Sequence, residues 1–406
     1  MPFTKDQEDV INAGVYHVLH GSEQVFQYSG PPGTGKTYVL FEIIRRIGIP
    51  LSRIAPMAYI GQAAINMRKA GLSNAKTIHS WIYDRIEIPV LDENGNPVMD
   101  PVYNKPMKTE KLIPRDLSYI DYFIIDEGGT VPYYMKHDIE AYGKKIIVCG
   151  DINQLPPVAD KPAYLYTGKV MFLRTIMRQA EGSFIIKLAN MVLNGIEPSA
   201  GFYGNVLVIE KKNLSEEMFR YSNIVICGKN KTKEYYNNYI RQNIFGYYTK
   251  LPQCGERVIC RKNNWSIEVD GISLANGLAG RLINDISISS FDGKTFKIDF
   301  QPDLLDAYFP SLKCDYEYFI GDKARREQLK NSKYSIGEKF EFAYAITTHL
   351  AQGAQWDSGI YISEYLNKDI QPNLNYVGVS RFRKSMIYVI PDRVSYYRGW
   401  DRNGHR

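Results

Sequence analysis

The chain has 406 residues, 44% hydrophobic and 23% charged, an ordinary globular balance for two to four domains, since single cores stop growing near ~250–300 residues. No apolar run reaches the ~18 residues of a helical membrane span, and the opening MPFTKDQEDV lacks the pattern of a signal peptide, so no membrane partner is expected. A net charge of +6 is too mild to indicate nucleic acid by itself.

The most informative stretch comes early. SGPPGTGKTYVL follows a short apolar strand pattern and opens an apolar helical one. Gly30, four residues, then Gly35-Lys36-Thr37 is the phosphate-loop spacing. Glycine tolerates backbone angles barred to other residues, so N–H groups of Gly30, Pro31-Pro32 apart, Gly33, Thr34 and Gly35 can turn around one anion. The following helix offers its positive end to the same anion. Lys36 is placed to reach the β- and γ-phosphates and Thr37 to supply a hydroxyl to Mg²⁺. The sequence is that of a nucleoside triphosphate binder.

Residues 84–111 break the strand–helix rhythm. Ile86, Ile88 and Val90 alternate, Asn94-Gly95 signals a hairpin turn, and Pro97, Pro101 and Pro106 keep the return strand off a central sheet. YFIIDEGG then ends a buried-strand run in Asp126-Glu127. A phosphate loop needs such a pair: Asp126 to contact the Mg²⁺ shell, Glu127 to orient or deprotonate water. KKIIVCGDINQLPPV ends another strand, where α/β sheets place ligands, and its Gln154 is a neutral amide suited to sensing a γ-phosphate.

Between residues 229 and 250, Lys229, Lys231, Lys233, Arg241 and Lys250 interleave with Tyr235, Tyr236, Tyr239, Tyr247 and Tyr248. Cations beside aromatic faces suit single-stranded nucleic acid, although the segment alone favours a solvated helix with half-buried tyrosines. Short β-branched runs punctuated by glycine from 255 to 300 read as a small β-barrel. Residues 301–335 carry no assignable pattern. Cys149, Cys227, Cys254, Cys260 and Cys314 lack CxxC or zinc spacing, and most lie in apolar strand patterns, so reduced thiols and a cytoplasmic setting are expected, in the host cytoplasm if the source is viral.

In order, GPPGTGKT, IIDE, GDINQLPPV, RTIMRQ, TTHLAQGAQWD and NYVGVSR resemble the motif series of superfamily-one DNA helicases, specifically the RecD-like 5′-to-3′ branch, with phage Dda-type helicases nearest in length and layout. The resemblance implies an α/β fold of two RecA-like P-loop motor domains, with a β-hairpin insert in the first and a small β-barrel insert in the second. The expected division is 1–165 for the first motor with its pin at 84–111, 166–250 and 340–406 for the second, and 251–339 for the accessory barrel. FTKDQEDVI is similar to the opening motif whose glutamine, here Gln7, reads adenine. TIHSWI implies Thr77 and His79 as nucleic-acid contacts, and TTHLAQGAQWD implies Thr348 and His349, with Gln352 and Gly353 linking that contact to ATP. Arg178 and Arg381 are implied as arginines aimed at the γ-phosphate, stabilising transition-state charge. APMAYIGQAA keeps the family's proline, which implies Pro56 as a further nucleic-acid contact, but has Met57 where a threonine is usual, and DEGG replaces the usual DEAS. The resemblance implies an ATP- and Mg²⁺-dependent DNA helicase in replication or recombination, a monomer acting on single-stranded and forked DNA beside replication or single-strand-binding proteins. An RNA helicase of the same superfamily and a nucleotide-switched binding module that unwinds nothing are the alternatives.

Overall fold

The protein is described by a computed structural model covering residues 2–99, 106, 108–157, 160–177, 183–286, 291–303, 305–331, 336–366 and 368–391. Strands β1 (Val25–Ser29), β2 (Ile54–Ala58) and β3 (Lys76–Thr77) are followed by a hairpin of β4 (Tyr83–Pro89) and β5 (Lys108–Pro114), then by β6 (Tyr122–Asp126), β7 (Lys145–Gly150) and β8 (Val170–Phe172). Six of these form a parallel sheet in the order β3-β2-β6-β7-β1-β8. A sheet covered on both faces requires apolar residues on both, and YFII and IIVC of β6 and β7 are buried throughout. Helix Lys5–His20 begins in a capping box of Thr4 and Gln7, and helix Lys36–Ile47 stops at the left-handed Gly48. Together they bury Val10, Ile11, Val39, Leu40 and Ile43 on one face of the sheet, each contributing about 1.5–3 kcal/mol.

The first unit runs past the boundary expected at residue 165. β8 pairs with β1, Leu173 N–H donates to Ser29 O, and Met177 N–H donates to Gly33 O. Three strand residues after a turn are too few to show a period, which is why the pattern does not reveal them.

The second sheet takes β9 (Gly201–Tyr203), β10 (Val206–Glu210) and β11 (Val225–Cys227), and resumes after a long insertion. The insertion holds β12 (Arg257–Cys260), the pair β13 (Asn264–Val269) and β14 (Ile272–Leu274), β15 (Ala279–Leu282), β16 (Thr295–Pro302), β17 (Phe309–Asp315) and β18 (Phe340–Phe342). β19 (Ala345–Thr347), β20 (Trp356–Ile362) and β21 (Phe382–Ile390) complete the sheet as β19-β11-β20-β21-β10-β9, parallel except at β9. Inside the insertion the order β17-β16-β15-β12-β18 is antiparallel. A parallel bridge from Cys314 to Glu338 ties the far edges together, closing a small barrel over Phe296, Phe300, Phe309 and Phe340. Residues 340–342, expected from sequence to be second-motor chain, are therefore barrel. Residues 301–331 supply its β17 and the helices Tyr316–Ile320 and Lys323–Asn331.

Two joints hold the barrel. Against the second motor, Arg241 grips Glu256 bidentately at 2.6 and 2.9 Å, and Lys233 donates to Glu341 at 2.6 Å, all four side chains buried. Between 229 and 250, Lys233 and Arg241 are thus neither solvated, as the segment alone favours, nor available to phosphates: they neutralise barrel carboxylates. Against the first motor, Ile65 enters the barrel core and Arg68 donates to the carbonyls of Asp270 and Gly271.

Candidate functional site

The phosphate loop joins β1 to helix Lys36–Ile47, with Gly33 (φ 85°) and Gly35 (φ 78°) both left-handed. Gly30 is constrained by space, since a Cβ there would lie 2.6 Å from Thr34 Oγ1 and 2.9 Å from Leu173. Lys36 Nζ donates to Gly30 O at 2.8 Å and Pro31 O at 3.3 Å, so its ammonium sits inside the loop's curve. Thr34 Oγ1 donates to Pro31 O, and Tyr28, missed from sequence, donates from its hydroxyl to Lys36 O. Gln7 donates its amide to Thr34 O at 2.9 Å and to Met177 Sδ, holding the loop from the N-terminal helix.

β6 and β7 deliver the acidic side. Asp126 is half-buried at the end of β6, and desolvation there, reinforced by the neighbouring Glu127, pushes its carboxyl up to about 6. Its Oδ1 accepts from Glu127 N–H at 2.8 Å and from the Cys149 thiol at 3.2 Å. Glu127 has φ 53°, a conformation costing roughly 1–3 kcal/mol in a non-glycine residue and typical of functional positions. DEGG instead of DEAS has a packing cause: a Cβ on Gly128 would come within 2.2 Å of Val148 Cγ1. Gln154 donates to Glu127 Oε2 at 2.9 Å, while its own Oε1 is buried without a protein partner and can accept a hydrogen from water.

These groups fit Mg²⁺. A hydroxyl at Thr37 and a carboxylate at Asp126 are hard oxygen donors, and a cation beside Asp126 would offset the burial and the Glu127 charge that raise its carboxyl. Among the described residues no cluster of three or more His, Cys, Asp or Glu could hold a metal ion.

Across the cleft, helix Gln371–Val379 of the second unit leads into Arg381. The Arg381 guanidinium is buried and turned back on its helix, with Nε donating to Val377 O at 3.1 Å and Nη2 to Ser380 Oγ at 2.9 Å. In this conformation it caps the helix's negative end. Arg178 lies outside the described residues.

Beside this cleft a cavity of about 630 Å³ opens between both motors and the barrel, lined among others by Tyr59, His79, Tyr134, Pro156, Asn276 and His349. Burial drives His79 down to about 4, with Arg85 adding to it, and lowers His349 as well. Both imidazoles are neutral near pH 7, suited to hydrogen bonding and stacking. Of the five nucleic-acid candidates only these two line the cavity. Pro56 is buried in β2 and its carbonyl accepts from Trp81 Nε1. Thr77 caps helix Ile78–Ile82, and Thr348 donates to Cys227 O, both buried. Gly353, expected to be nucleotide-linked, lies instead on helix Gly61–Lys69: its carbonyl accepts from Asn66 Nδ2 at 2.6 Å, and its φ of 74° brings the turn against Ala63. Tyr59 and Tyr134 carry no signal in the sequence beyond being aromatic.

Comparison with known proteins gives a consistent picture. A family model described as an AAA domain matches residues 18–160. The chain is 24% identical to the ATP-dependent DNA helicase Pif1 of Psychrobacter, covering 90% of this chain and 65% of that one. It is 23% identical to an uncharacterized protein of Methanocaldococcus jannaschii, covering 90% of this chain and 36% of the other. The chain thus spans between about a third and two thirds of the length of these curated relatives. Among solved structures, Bacteroides Pif1 bound to single-stranded DNA superposes with a TM-score of 0.54 at 19% identity, covering 100% and 98% of the two chains. A structure of two coordinating Pif1 helicases at forked DNA gives 0.55 at 18%, with both chains fully covered. The fold is that of two RecA-like P-loop motor domains around parallel sheets.

Proposed function

We propose that this chain is an ATP-dependent DNA helicase of the RecD-like, Dda-type branch, moving 5′ to 3′ as a monomer on single-stranded DNA and separating forked duplex during replication or recombination. The observation that carries the reading is a physical connection between two sites. Gln352 lines the cavity and donates from Nε2 to Leu155 O at 2.9 Å. Leu155 adjoins Gln154, which bonds Glu127 beside the phosphate loop. A strand lying in the cavity and a triphosphate in the cleft therefore act on one loop. The single-stranded and forked DNA in the solved relatives' complexes supports DNA as the occupant.

In this reading Lys36 and the loop's N–H groups bind the phosphates, Glu127 orients the attacking water, and Gln154 holds Glu127 in place. Mg²⁺ held by Thr37 and Asp126 supplies charge neutralisation at the phosphates. Arg381 and Arg178 enter from the second motor when the cleft closes. No described helix is long and apolar enough to cross a membrane.

The test is strand separation of forks with a single 5′ or 3′ tail, with ATP and Mg²⁺. Unwinding of the 5′-tailed fork alone is expected, and unwinding of only the 3′-tailed fork overturns the polarity. Stimulation of hydrolysis by matched DNA and RNA oligomers distinguishes a DNA from an RNA motor. Hydrolysis indifferent to every oligonucleotide, with no fork unwound, would favour the binding module.

A further inference from the structure

The loop Asp151–Leu155 receives three hydrogen bonds from the second motor, and none of them reaches Gln154 itself. Tyr376 donates its hydroxyl to Asp151 Oδ2 at 2.5 Å, Asn373 Nδ2 donates to Asn153 O at 2.9 Å, and Gln352 Nε2 donates to Leu155 O. Within the loop, Asp151 Oδ1 accepts from Asn153 N–H at 2.9 Å, and Gln154 N–H donates to Asp151 O at 3.2 Å. Ile152 N–H donates to Ser29 Oγ at 3.1 Å, fastening the same turn to the strand that ends in the phosphate loop. One carboxylate oxygen of Asp151 thus shapes the turn that aims Gln154 at Glu127, and the other is held by Tyr376.

Tyr376 belongs to helix Gln371–Val379, which is followed directly by Ser380 and Arg381. We infer that Tyr376 is a positioning residue: its hydroxyl, acting through Asp151 and Gln154, aligns Glu127 only when the helix that carries Arg381 is docked across the cleft. The inference rests on the helicase reading above and adds to it a coincidence requirement. One helix bears both the arginine and the anchor of the loop, so the docking that forms the Tyr376 bond also brings Arg381 to the cleft, where release of its bonds to Val377 and Ser380 would complete the site. The chemistry suits the task. Tyr376 and Asp151 are both buried, so their bond is shielded from water and an unpaired Asp151 oxygen would be costly. Burial raises the Asp151 carboxyl, and Lys36 and the Tyr376 hydroxyl oppose that rise by stabilising the carboxylate. The bond is also neutral-to-anion across two domains, strong enough to align a loop and breakable when the cleft opens.

Tyr376→Phe keeps the ring and its packing and removes only the donor. With saturating single-stranded DNA, kcat for ATP hydrolysis should fall by about tenfold or more, the loss of one charge-assisted hydrogen bond, while KM for ATP and affinity for the strand stay within about twofold. Asp151→Asn should give a similar loss, and the double variant should be no worse than either single one, since both remove the same link. Independent, multiplying losses, or a Tyr376→Phe enzyme with parental kcat, would overturn the inference. If Tyr376→Phe folds poorly, the Asp151→Asn turnover and its KM-against-kcat split decide the matter in its place. The parent enzyme separates the two readings. Parental hydrolysis unmoved by DNA is a failure of the helicase reading, whereas DNA-stimulated parental hydrolysis with an unchanged Tyr376→Phe is a failure of the positioning role alone.

Discussion

The second motor has two neighbours and meets them with different chemistry. Its seam with the barrel is built of buried ion pairs, Arg241 with Glu256 and Lys233 with Glu341, the latter also accepting from Arg261 at 3.2 Å and from Tyr318. Its cleft with the first motor is spanned by single hydrogen bonds at Tyr376, Asn373, Gln352 and Asn66. Separating a buried ion pair exposes both charges to an unpaired state and is severe. Separating the amide–carbonyl bonds of Asn373, Gln352 and Asn66 at a cleft that opens to water costs about 0.5–1.5 kcal/mol net each, and the bond of Tyr376 to the Asp151 carboxylate about 1.5–3 kcal/mol. The difference assigns the motion: the barrel travels with the second motor as one body, and the cleft is where the molecule opens and closes.

The largest expected effect comes from breaking the seam. Arg241→Met leaves Glu256 buried without its partner and should lower unfolding stability by roughly 3–5 kcal/mol in denaturant titration. Replacing Glu256 by Leu as well should restore most of that loss, because a paired apolar substitution leaves no orphan charge. If the single variant is as stable as the parent, the seam is not what joins the two bodies.

Acid should weaken the same seam. Glu341 is buried, which opposes ionisation, yet Arg261 and Lys233 hold its carboxyl down at about 2 against an ordinary 4.5. A depressed carboxylate contributes stability above the unfolded value and loses it as protons are taken up on the way down. The contribution, on the order of 3 kcal/mol for such a shift, is complete above about pH 5 and disappears progressively toward pH 2. Chemical denaturation across that window should show the decline in the parent and a shallower one in Glu341→Gln. Equal slopes would mean that another group titrates there.

At the cleft, chemistry and not stability should suffer. Arg381→Ala should reduce ATP turnover by on the order of 10²-fold or more, with far less change in ATP affinity, since a planar cation arriving on closure acts on the transition state. Its thermal midpoint should move little compared with Arg241→Met. A fall in affinity equal to the fall in turnover would make Arg381 a ground-state binder and leave the closing cleft without its catalytic purpose.

How far each region is legible in the sequence follows from the same contrast. The phosphate loop, Asp126-Glu127 and Gln154 declare themselves because their chemistry is written in contiguous residues at strand ends. The seam does not, because helix spacing shows that Lys233 and Arg241 share a face but not that Glu341 and Glu256 oppose them. Tyr376 is invisible for a like reason, its partner Asp151 being 225 positions away. β8 is too short to show a period, and β18, the three residues Phe340-Glu341-Phe342, is equally short and lies two residues before a second-motor strand. Thr77 and Thr348 carry motif resemblance but face inward, where a hydroxyl serves the fold.

The hairpin of β4 and β5 contributes no residue to the seam or cleft bonds above, and it gives the smallest expected effect on the motor. Its stem pairs Tyr83–Pro89 with Lys108–Pro114 residue for residue. Beyond the stem, Leu91 pairs with Pro97 and Met99 with Pro106, so Asn94-Gly95 closes a small tip and the true return strand comes later than that turn suggests. Asp92 stiffens the tip by accepting from Asn94 and Asn96 N–H, and Arg115 with Asp84 at 2.8 Å braces the base. Leu91 and Met99 stand exposed there, 54% and 43%, although nothing in the stem requires apolar residues at that point. A stiff projection with an apolar tip suits a wedge against the end of a base-pair stack. Each base-pair step it helps part is worth roughly 1.4 kcal/mol, about a factor of ten in rate if the wedge supplies one step. Shortening Asp92–Pro97 should therefore slow fork unwinding by about tenfold. DNA-stimulated hydrolysis should remain near the parental rate, because no residue of the cleft or the seam lies in the hairpin. If unwinding and hydrolysis fall together, the hairpin is tied to the motor rather than to the junction. If neither falls, it is a surface elaboration, and the wedge must be sought on the barrel's face of the cavity.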